Sequence, residues 1–95
     1  MTGKDRAFLR KNANNMDPVC IIGKDGVDNE VITSVRRAIT ARELIKCKVL
    51  ETSPYTAREA ADEISDAINC DVIQVIGGKF VLYKYNKDIA RYGIR

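Results

Sequence analysis

Residues 71–85 contain two strand-like runs, DVIQVI and FVLYKY, which are separated only by Gly77, Gly78 and Lys79. Both runs are rich in β-branched and aromatic residues, which favour strands. A connection this short, containing glycines that tolerate positive φ angles, joins antiparallel neighbours. The C-terminal part of the chain is therefore predicted to form a β-hairpin, and the remaining segments must cover and extend it because an isolated hairpin is barely stable.

Upstream of the hairpin, helix-like and strand-like segments alternate. They are a helix over 3–14, a strand over 19–22, a helix over 29–41, a strand over 44–51 and a helix over 57–68. Thr2 and Thr56 each stand three residues before an acidic residue, which is the capping-box pattern, and Asp28 is a favoured N-cap. The order α-β-α-β-α-β-β predicts an α/β two-layer sandwich with a mixed four-stranded sheet.

The strand predicted at 44–51 alternates regularly between apolar and basic residues. Ile45, Cys47 and Val49 point to one face, while Lys46 and Lys48 point to the other. The pattern predicts a half-exposed strand with a basic outer face.

Ninety-five residues with 45% hydrophobic content suit one domain spanning 1–95. No apolar run approaches the roughly 20 residues that span a bilayer, and the N-terminus lacks a signal-peptide core, so a cytoplasmic protein without a membrane partner is expected. The last residues, 88–95, show no strong period and are expected to form a flexible tail.

The basic residues are segregated along the chain. Residues 1–48 carry ten Lys or Arg and six Asp or Glu, residues 49–71 carry one and six, and residues 72–95 carry five and one. The net charges of the three segments are therefore +4, −5 and +4, although the whole chain has only +3. Such segregation favours a surface for a polyanion, but a run of charges also fits a solvated face.

The chain offers little for catalysis or metal binding. It has no histidine, and its three cysteines, Cys20, Cys47 and Cys70, lie in or beside apolar segments, as reduced core thiols do. No Ser or Cys stands in a nucleophile motif, and GKDG lacks the length and the terminal Lys-Ser/Thr of a P-loop. A non-enzymatic protein without a cofactor, a metal or a small-molecule substrate is predicted.

The segment IIGKDGV places Gly23, Lys24, Asp25 and Gly26 between a strand and a helix. The two glycines fit a turn that needs positive φ, and they equally fit a loop where a phosphate approaches the main chain and the N-terminus of the following helix. The residues leave both interpretations open.

Four segments in order resemble the YhbY-type CRM domain, over residues 2 to about 87. They are TGK with Arg6, Leu9 and Arg10 at the start, GKDGV, RELIKCKVL and VIQVIGGKFVLYK. Gly78 and Lys79 depart from the Lys-Thr that relatives often carry, and Ile73 adjoins Gln74 where polar residues are also seen.

The resemblance implies a fold similar to the C-terminal domain of translation initiation factor three. It also implies RNA binding: stand-alone bacterial members associate with precursors of the large ribosomal subunit, and plant organellar relatives support intron splicing. The family's GxxG loop is compared with that of KH domains, which would put Gly23, Lys24, Asp25 and Gly26 at the RNA.

We therefore expect a monomer that binds large-subunit rRNA or a pre-ribosomal particle. The loop would be flanked by basic residues of the first two helices, namely Lys4, Arg6, Arg10, Lys11, Arg36 and Arg37. Tyr83 and Tyr85 share a strand face where a base could stack, but packing is the usual role of such tyrosines and they are weak candidates. The alternative is a protein-interaction module whose acidic third helix docks on a ribosomal protein or assembly factor.

Overall fold

A computed structural model describes all residues from Met1 to Arg95 and contains the seven predicted elements in the predicted order. They are α1 (Gly3–Ala13), β1 (Cys20–Ile22), α2 (Asn29–Arg42), β2 (Leu44–Val49), α3 (Ala57–Ile68), β3 (Asp71–Ile76) and β4 (Lys79–Tyr83). The last strand ends at Tyr83, two residues before the predicted end. No helix is long and apolar enough to cross a membrane.

The four strands form one mixed sheet, as predicted, and their order in the sheet is β1-β2-β4-β3. β1 runs parallel to β2, with Cys20 opposite Cys47, whereas β4 runs antiparallel to both β2 and β3. The α2 crossover permits the parallel pair, and the glycine turn makes β3 and β4 antiparallel. β2 is thus a central strand with a partner on each side.

The first core lies between one face of the sheet and the helices α2 and α3. The sheet and this pair of helices are the two predicted layers. The sheet contributes Ile45, Cys47, Phe80 and Leu82 among others, which alternate along their strands as the pleat requires. The α3 helix contributes its buried face, Ala57, Ala60, Ala61, Ile64 and Ile68. The small residues of α3 let this helix approach the sheet closely.

The opposite face of the sheet carries a second core, which α1 and the C-terminal segment cover. Leu9 and Ala13 of α1 pack there with Leu44, Val81 and Tyr83. Arg6 Nη1 donates to the Val72 carbonyl at 2.6 Å, and Lys46 Nζ donates to the Asn14 carbonyl at 3.5 Å. Because Val72 is on β3 and Lys46 is on β2, α1 crosses this face from the β3 side to the β2 side.

A β-bulge at Ile73 explains how β3 contributes side chains to both cores. Val72 pairs with Leu82 and Gln74 pairs with Val81, so Ile73 is the extra residue between them. The bulge turns Ile73 toward the second core, while Val72 and Val75 pack against the first. Strict alternation would have placed only one of these two valines there.

The predicted helix starts are confirmed. Capping boxes form at Thr2 with Asp5 and at Thr56 with Glu59, and the side chain of Asp28 accepts a hydrogen bond from the Val31 amide at 2.9 Å. Each cap satisfies amides that have no partner within their own helix. The hydrogen bond from the Thr56 amide also lowers the pKa of Glu59.

Glu43 is the one charged residue with no exposed surface, at 0%. It ends α2 with φ of +66°, and its two carboxylate oxygens accept hydrogen bonds from the amides of Asn86 (2.9 Å) and Arg91 (2.7 Å). The buried carboxylate therefore replaces the water that these amides would otherwise bind.

Residues 84–95 form no helix or strand, yet Tyr92 and Ile94 pack on the second core. The flexibility of residues 88–95 stays a prediction.

We predict that Glu43→Gln destabilises the protein by about 1–3 kcal/mol, because an amide NH₂ would then face a backbone donor and leave it unsatisfied. Chemical denaturation measures the loss, and Glu51→Gln, at an exposed position, is the control with the same charge change. Equal stability of the two variants would contradict a structural role for the Glu43 carboxylate.

Candidate nucleic-acid interface

The loop Gly23–Gly26 connects β1 to α2 and contains a tight turn. The Gly26 amide donates to the Gly23 carbonyl at 3.0 Å, which closes the turn, and Gly26 has φ of +65°. This conformation strains any residue with a Cβ. The turn interpretation therefore accounts for Gly26.

A second constraint also acts on Gly26. It is buried, and a Cβ built there would lie 2.6 Å from Cε2 of Tyr55 and 3.3 Å from Cγ of Pro54. The segment that follows β2 therefore packs directly on the glycine loop. Both the backbone angle and this contact exclude larger residues.

Gly23 is under neither constraint. Its φ is outside the positive range that favours glycine, and a Cβ would meet only Cδ1 of Leu50, at an ordinary contact distance of 3.8 Å. The fold would therefore accept alanine at this position. The missing side chain leaves the main chain open where the loop leaves β1.

Several amides around the loop have no partner within the protein. Asp28 caps the amide of Val31 and its carbonyl accepts from Ile32, as the sequence predicted for an N-cap. The amides of Asn29 and Glu30, in the first turn of α2, make no intramolecular hydrogen bond, and neither do those of Lys24 and Asp25. The Gly26 amide is used within the turn.

Two backbone hydrogen bonds bring the loop and the hairpin turn to the same edge of the sheet. The Leu50 amide donates to the Ile22 carbonyl at 2.9 Å, and the Val49 amide donates to the Gly78 carbonyl at 2.7 Å. The ends of β1 and β2 therefore lie beside the β3–β4 turn. We call this end of the sheet, where β1 and β2 finish and the β3–β4 turn lies, the loop edge.

The basic residues proposed on α1 differ in their surroundings. Lys4, Arg10 and Lys11 are exposed, whereas Arg6 is half-buried because its guanidinium holds the Val72 carbonyl. Arg6 therefore joins α1 to β3. Of the four, it is the one for which the structure supplies a clear intramolecular role.

The arginines of α2 do not share a face with those of α1. Arg36 and Arg37 are exposed on α2, which packs on the first-core face of the sheet, whereas α1 packs on the opposite face. The ten predicted site residues therefore lie on both sides of the sheet and do not form one flat patch.

The suggestion that Tyr83 stacks on a base is wrong. Its side chain is 1% exposed, its hydroxyl donates to the Ile94 carbonyl, and burial raises its pKa. Tyr92 meets its ring edge-on, with centroids 6.1 Å apart. Tyr85 is half-buried under the guanidinium of Arg95, which lies 5.5 Å from the ring centroid.

Sequence reasoning missed Tyr55. Its half-buried ring supports Gly26, and interaction with the Glu63 carboxylate of α3 raises its pKa. The residue stands 29 positions after Gly26 in a stretch that reads as a turn, so no local pattern links the two.

The three cysteines are free, as predicted. Cys20 and Cys47 are buried as neighbours in the first core, and a hydrogen bond between them together with burial raises the pKa of Cys47. Burial likewise raises the pKa of Cys70 to about 11.

Comparisons with known proteins identify the family of this chain. The family model of the CRS1/YhbY (CRM) domain matches residues 1–84. The chain belongs to the CRM domain family. This CRM domain is 35% identical over 88 residues to the probable RNA-binding protein YqeI of Bacillus subtilis, covering 93% of this chain and 92% of that protein. It is also 32% identical over 94 residues to a probable RNA-binding protein of Methanocaldococcus jannaschii, covering 97% of this chain and 69% of that protein.

The CRM fold is also seen in the solution structure of a Staphylococcus aureus protein, SAV1595. The two structures match with a TM-score of 0.78 and 37% sequence identity over 92% of this chain and 91% of the other. The helices and the mixed sheet described above are therefore those of a solved relative.

The two loop glycines of this CRM domain should respond differently to alanine. We predict that Gly26→Ala lowers the free energy of unfolding by about 1–2 kcal/mol because of its positive φ. Overlap of the added Cβ with the Tyr55 ring should lower it further. Gly23→Ala should change the free energy of unfolding little. Gly77→Ala is the control, since it has φ of +57° and no atom within 4 Å of the added Cβ. Thermal unfolding measures all three, and a loss at Gly23 equal to that at Gly26 would contradict the distinction.

Proposed function

We propose that this CRM domain is a non-enzymatic RNA-binding protein whose central contact is the loop Gly23–Gly26. One observation carries the proposal: Gly23 has no structural need to be glycine, yet it stands beside unpartnered amides and the exposed Lys24. The names of the Bacillus and Methanocaldococcus relatives, both probable RNA-binding proteins, support it.

In the proposed contact, a phosphate approaches the main chain at Gly23. The amides of Asn29 and Glu30 donate to it at the positive end of the α2 dipole. Lys24 adds a mobile positive charge. Asp25 and Glu30 are exposed, so their carboxylates can turn into solvent.

These donors favour structured RNA over a sequence-read single strand. Amides and ammonium groups recognise phosphates, whereas sequence is read at base edges. Further exposed basic residues lie on α1, on one side of the sheet (Lys4, Arg10 and Lys11), and on α2, on the other side (Arg36 and Arg37). A folded RNA could contact both sides at once.

The target that we propose is rRNA of the large ribosomal subunit, bound during assembly in the cytoplasm by a monomer. The resemblance to stand-alone YhbY-type proteins supports this choice. Crosslinking in cells, followed by sequencing of the bound RNA, tests it directly. Recovery of mRNA or tRNA in place of large-subunit rRNA would contradict the assembly role.

Docking of the acidic α3 helix on a basic protein is the alternative, and the contacts of that helix weigh against it. Glu59 is held in its capping box and Asp62 pairs with Arg58 at 3.3 Å. Two of the four carboxylates on this helix therefore have partners within the chain.

We predict that Lys24→Ala weakens binding to a large-subunit rRNA fragment and lowers the slope of log affinity against log salt by about one unit, as loss of one phosphate contact does. Gly23→Ala should weaken binding as well, because its Cβ would stand where the phosphate approaches. Fluorescence anisotropy at several salt concentrations measures both.

Lys87→Ala, at an exposed position far from the loop edge, is the control with the same charge change as Lys24→Ala. The double variant Arg36→Ala/Arg37→Ala should act in the same direction as Lys24→Ala. If Lys24→Ala, Gly23→Ala and the α2 double variant all bind like the wild type, the loop is only a turn. A salt-independent affinity of the wild type would contradict phosphate binding altogether.

A further inference from the structure

One row of four side chains crosses all four strands at the loop edge. Ile21 of β1 is the partner of Lys48 of β2, Lys48 is the partner of Lys79 of β4, and Lys79 is the partner of Ile76 of β3. We call these four residues the lysine row. With adjacent strands about 4.8 Å apart, the row is about 14 Å wide.

All four side chains point to the same face of the sheet. Their neighbours along the strands, Cys20, Cys47, Phe80 and Val75, pack in or against the first core. Successive residues of a strand point to opposite faces. The lysine row therefore lies on the face that α1 covers, opposite α2 and α3.

The α1 helix leaves this part of the face uncovered. Its contacts in the second core are with Leu44, Val81 and Tyr83, which lie farther from the loop edge. Ile21 is 57% exposed and Ile76 is 64% exposed, and both lysines are exposed. The lysine row is thus an open basic and apolar surface, bordered by α1 on one side and by the glycine loop and hairpin turn on the other.

Lys48 and Lys79 repel each other. They are directly opposite in an antiparallel pair, where like charges destabilise a sheet. Neither has a carboxylate within ion-pair distance, since the single ion pair of the chain joins Arg58 to Asp62. A polyanion bound across the two strands would remove this repulsion.

We propose that the lysine row is a further RNA-contacting surface, over which one strand of the bound RNA passes from the glycine loop at β1, across β2 and β4, toward β3. This proposal rests on the proposed function. The two lysines bind consecutive phosphates, and the two isoleucines pack against ribose and base faces.

The size and position of the row favour RNA over a protein partner. A stable protein interface buries about 800 Å² on each partner, far more than four side chains offer. Contact with one nucleic-acid strand needs only a short basic groove with apolar or aromatic side chains. The row also shares the loop edge with Gly23, so the same molecule reaches both without a bend in the protein.

The test variant is Lys48→Gln/Lys79→Gln, and the control is Lys87→Gln/Arg91→Gln. The control has the same change in charge, and its two residues follow the end of β4 that is away from the loop edge. Affinity for a large-subunit rRNA fragment is measured from low to high salt. The lysine-row variant should bind about fivefold more weakly per lysine at 0.1 M salt and lose about two units of salt slope, while the control pair should lose much less. Its thermal stability should be equal to that of the wild type or higher, because the repulsion is removed.

A second variant, Ile21→Ser/Ile76→Ser, tests the apolar part of the row. Affinity should fall with the salt slope unchanged, because contacts with ribose and bases release no counterions. Both isoleucines are more than half exposed, so the variant should fold.

RNA affinity of the lysine-row variant equal to that of the control pair would overturn the proposal while leaving the loop contact intact, provided that Lys24→Ala still weakens binding. An Ile21→Ser/Ile76→Ser variant that loses self-association in sedimentation but binds RNA normally would assign the row to a second copy of the chain and overturn the proposal as well. If the wild type binds no RNA, the proposed function and the lysine row as an RNA surface both fail.

Discussion

The double pairing of β2 determines where the glycine loop and the lysine row lie. Its parallel partner β1 delivers Gly23 to the end of β2, and its antiparallel partner β4 begins at that same end. The hydrogen bonds Leu50 to Ile22 and Val49 to Gly78 then bind the three segments together. A parallel and an antiparallel neighbour on one central strand thus place a strand–helix loop and a hairpin turn side by side.

The glycine loop divides its structural and its proposed functional roles between its two glycines. Gly26 closes the turn and accepts the ring of Tyr55, so its identity follows from the fold. Gly23 is not required by backbone angle or by packing. A motif that looks symmetrical in the sequence is therefore asymmetrical in three dimensions, and only its first glycine is free to serve a ligand.

The local features of the fold could be predicted from the sequence, because their causes are local. Capping residues such as Thr56 and Asp28, the glycine hairpin and the alternation along β2 each act within a few positions, and all of them are confirmed. The face on which α1 packs, and with it the separation of its basic residues from those of α2, depends on tertiary contacts that no short pattern encodes.

The errors in predicting the site have the same origin. Tyr83 has the alternation expected of an exposed strand face, but α1 and the C-terminal segment cover it. Likewise, no pattern in the sequence marks Glu43 as buried, yet its carboxylate accepts hydrogen bonds from the amides of Asn86 and Arg91 in the interior. Both cases depend on the last residues of the chain, whose sequence has no regular period and whose packing could not be predicted.

The central claim is that the loop edge is the RNA-binding surface, and mapping of backbone amide shifts tests it most directly. A ¹⁵N-labelled sample is titrated with a large-subunit rRNA fragment, and each amide is followed by NMR. The account predicts the largest changes at Lys24, Asp25, Asn29 and Glu30, whose amides have no partner within the protein. Changes confined to α3, with the loop amides unmoved, would contradict it.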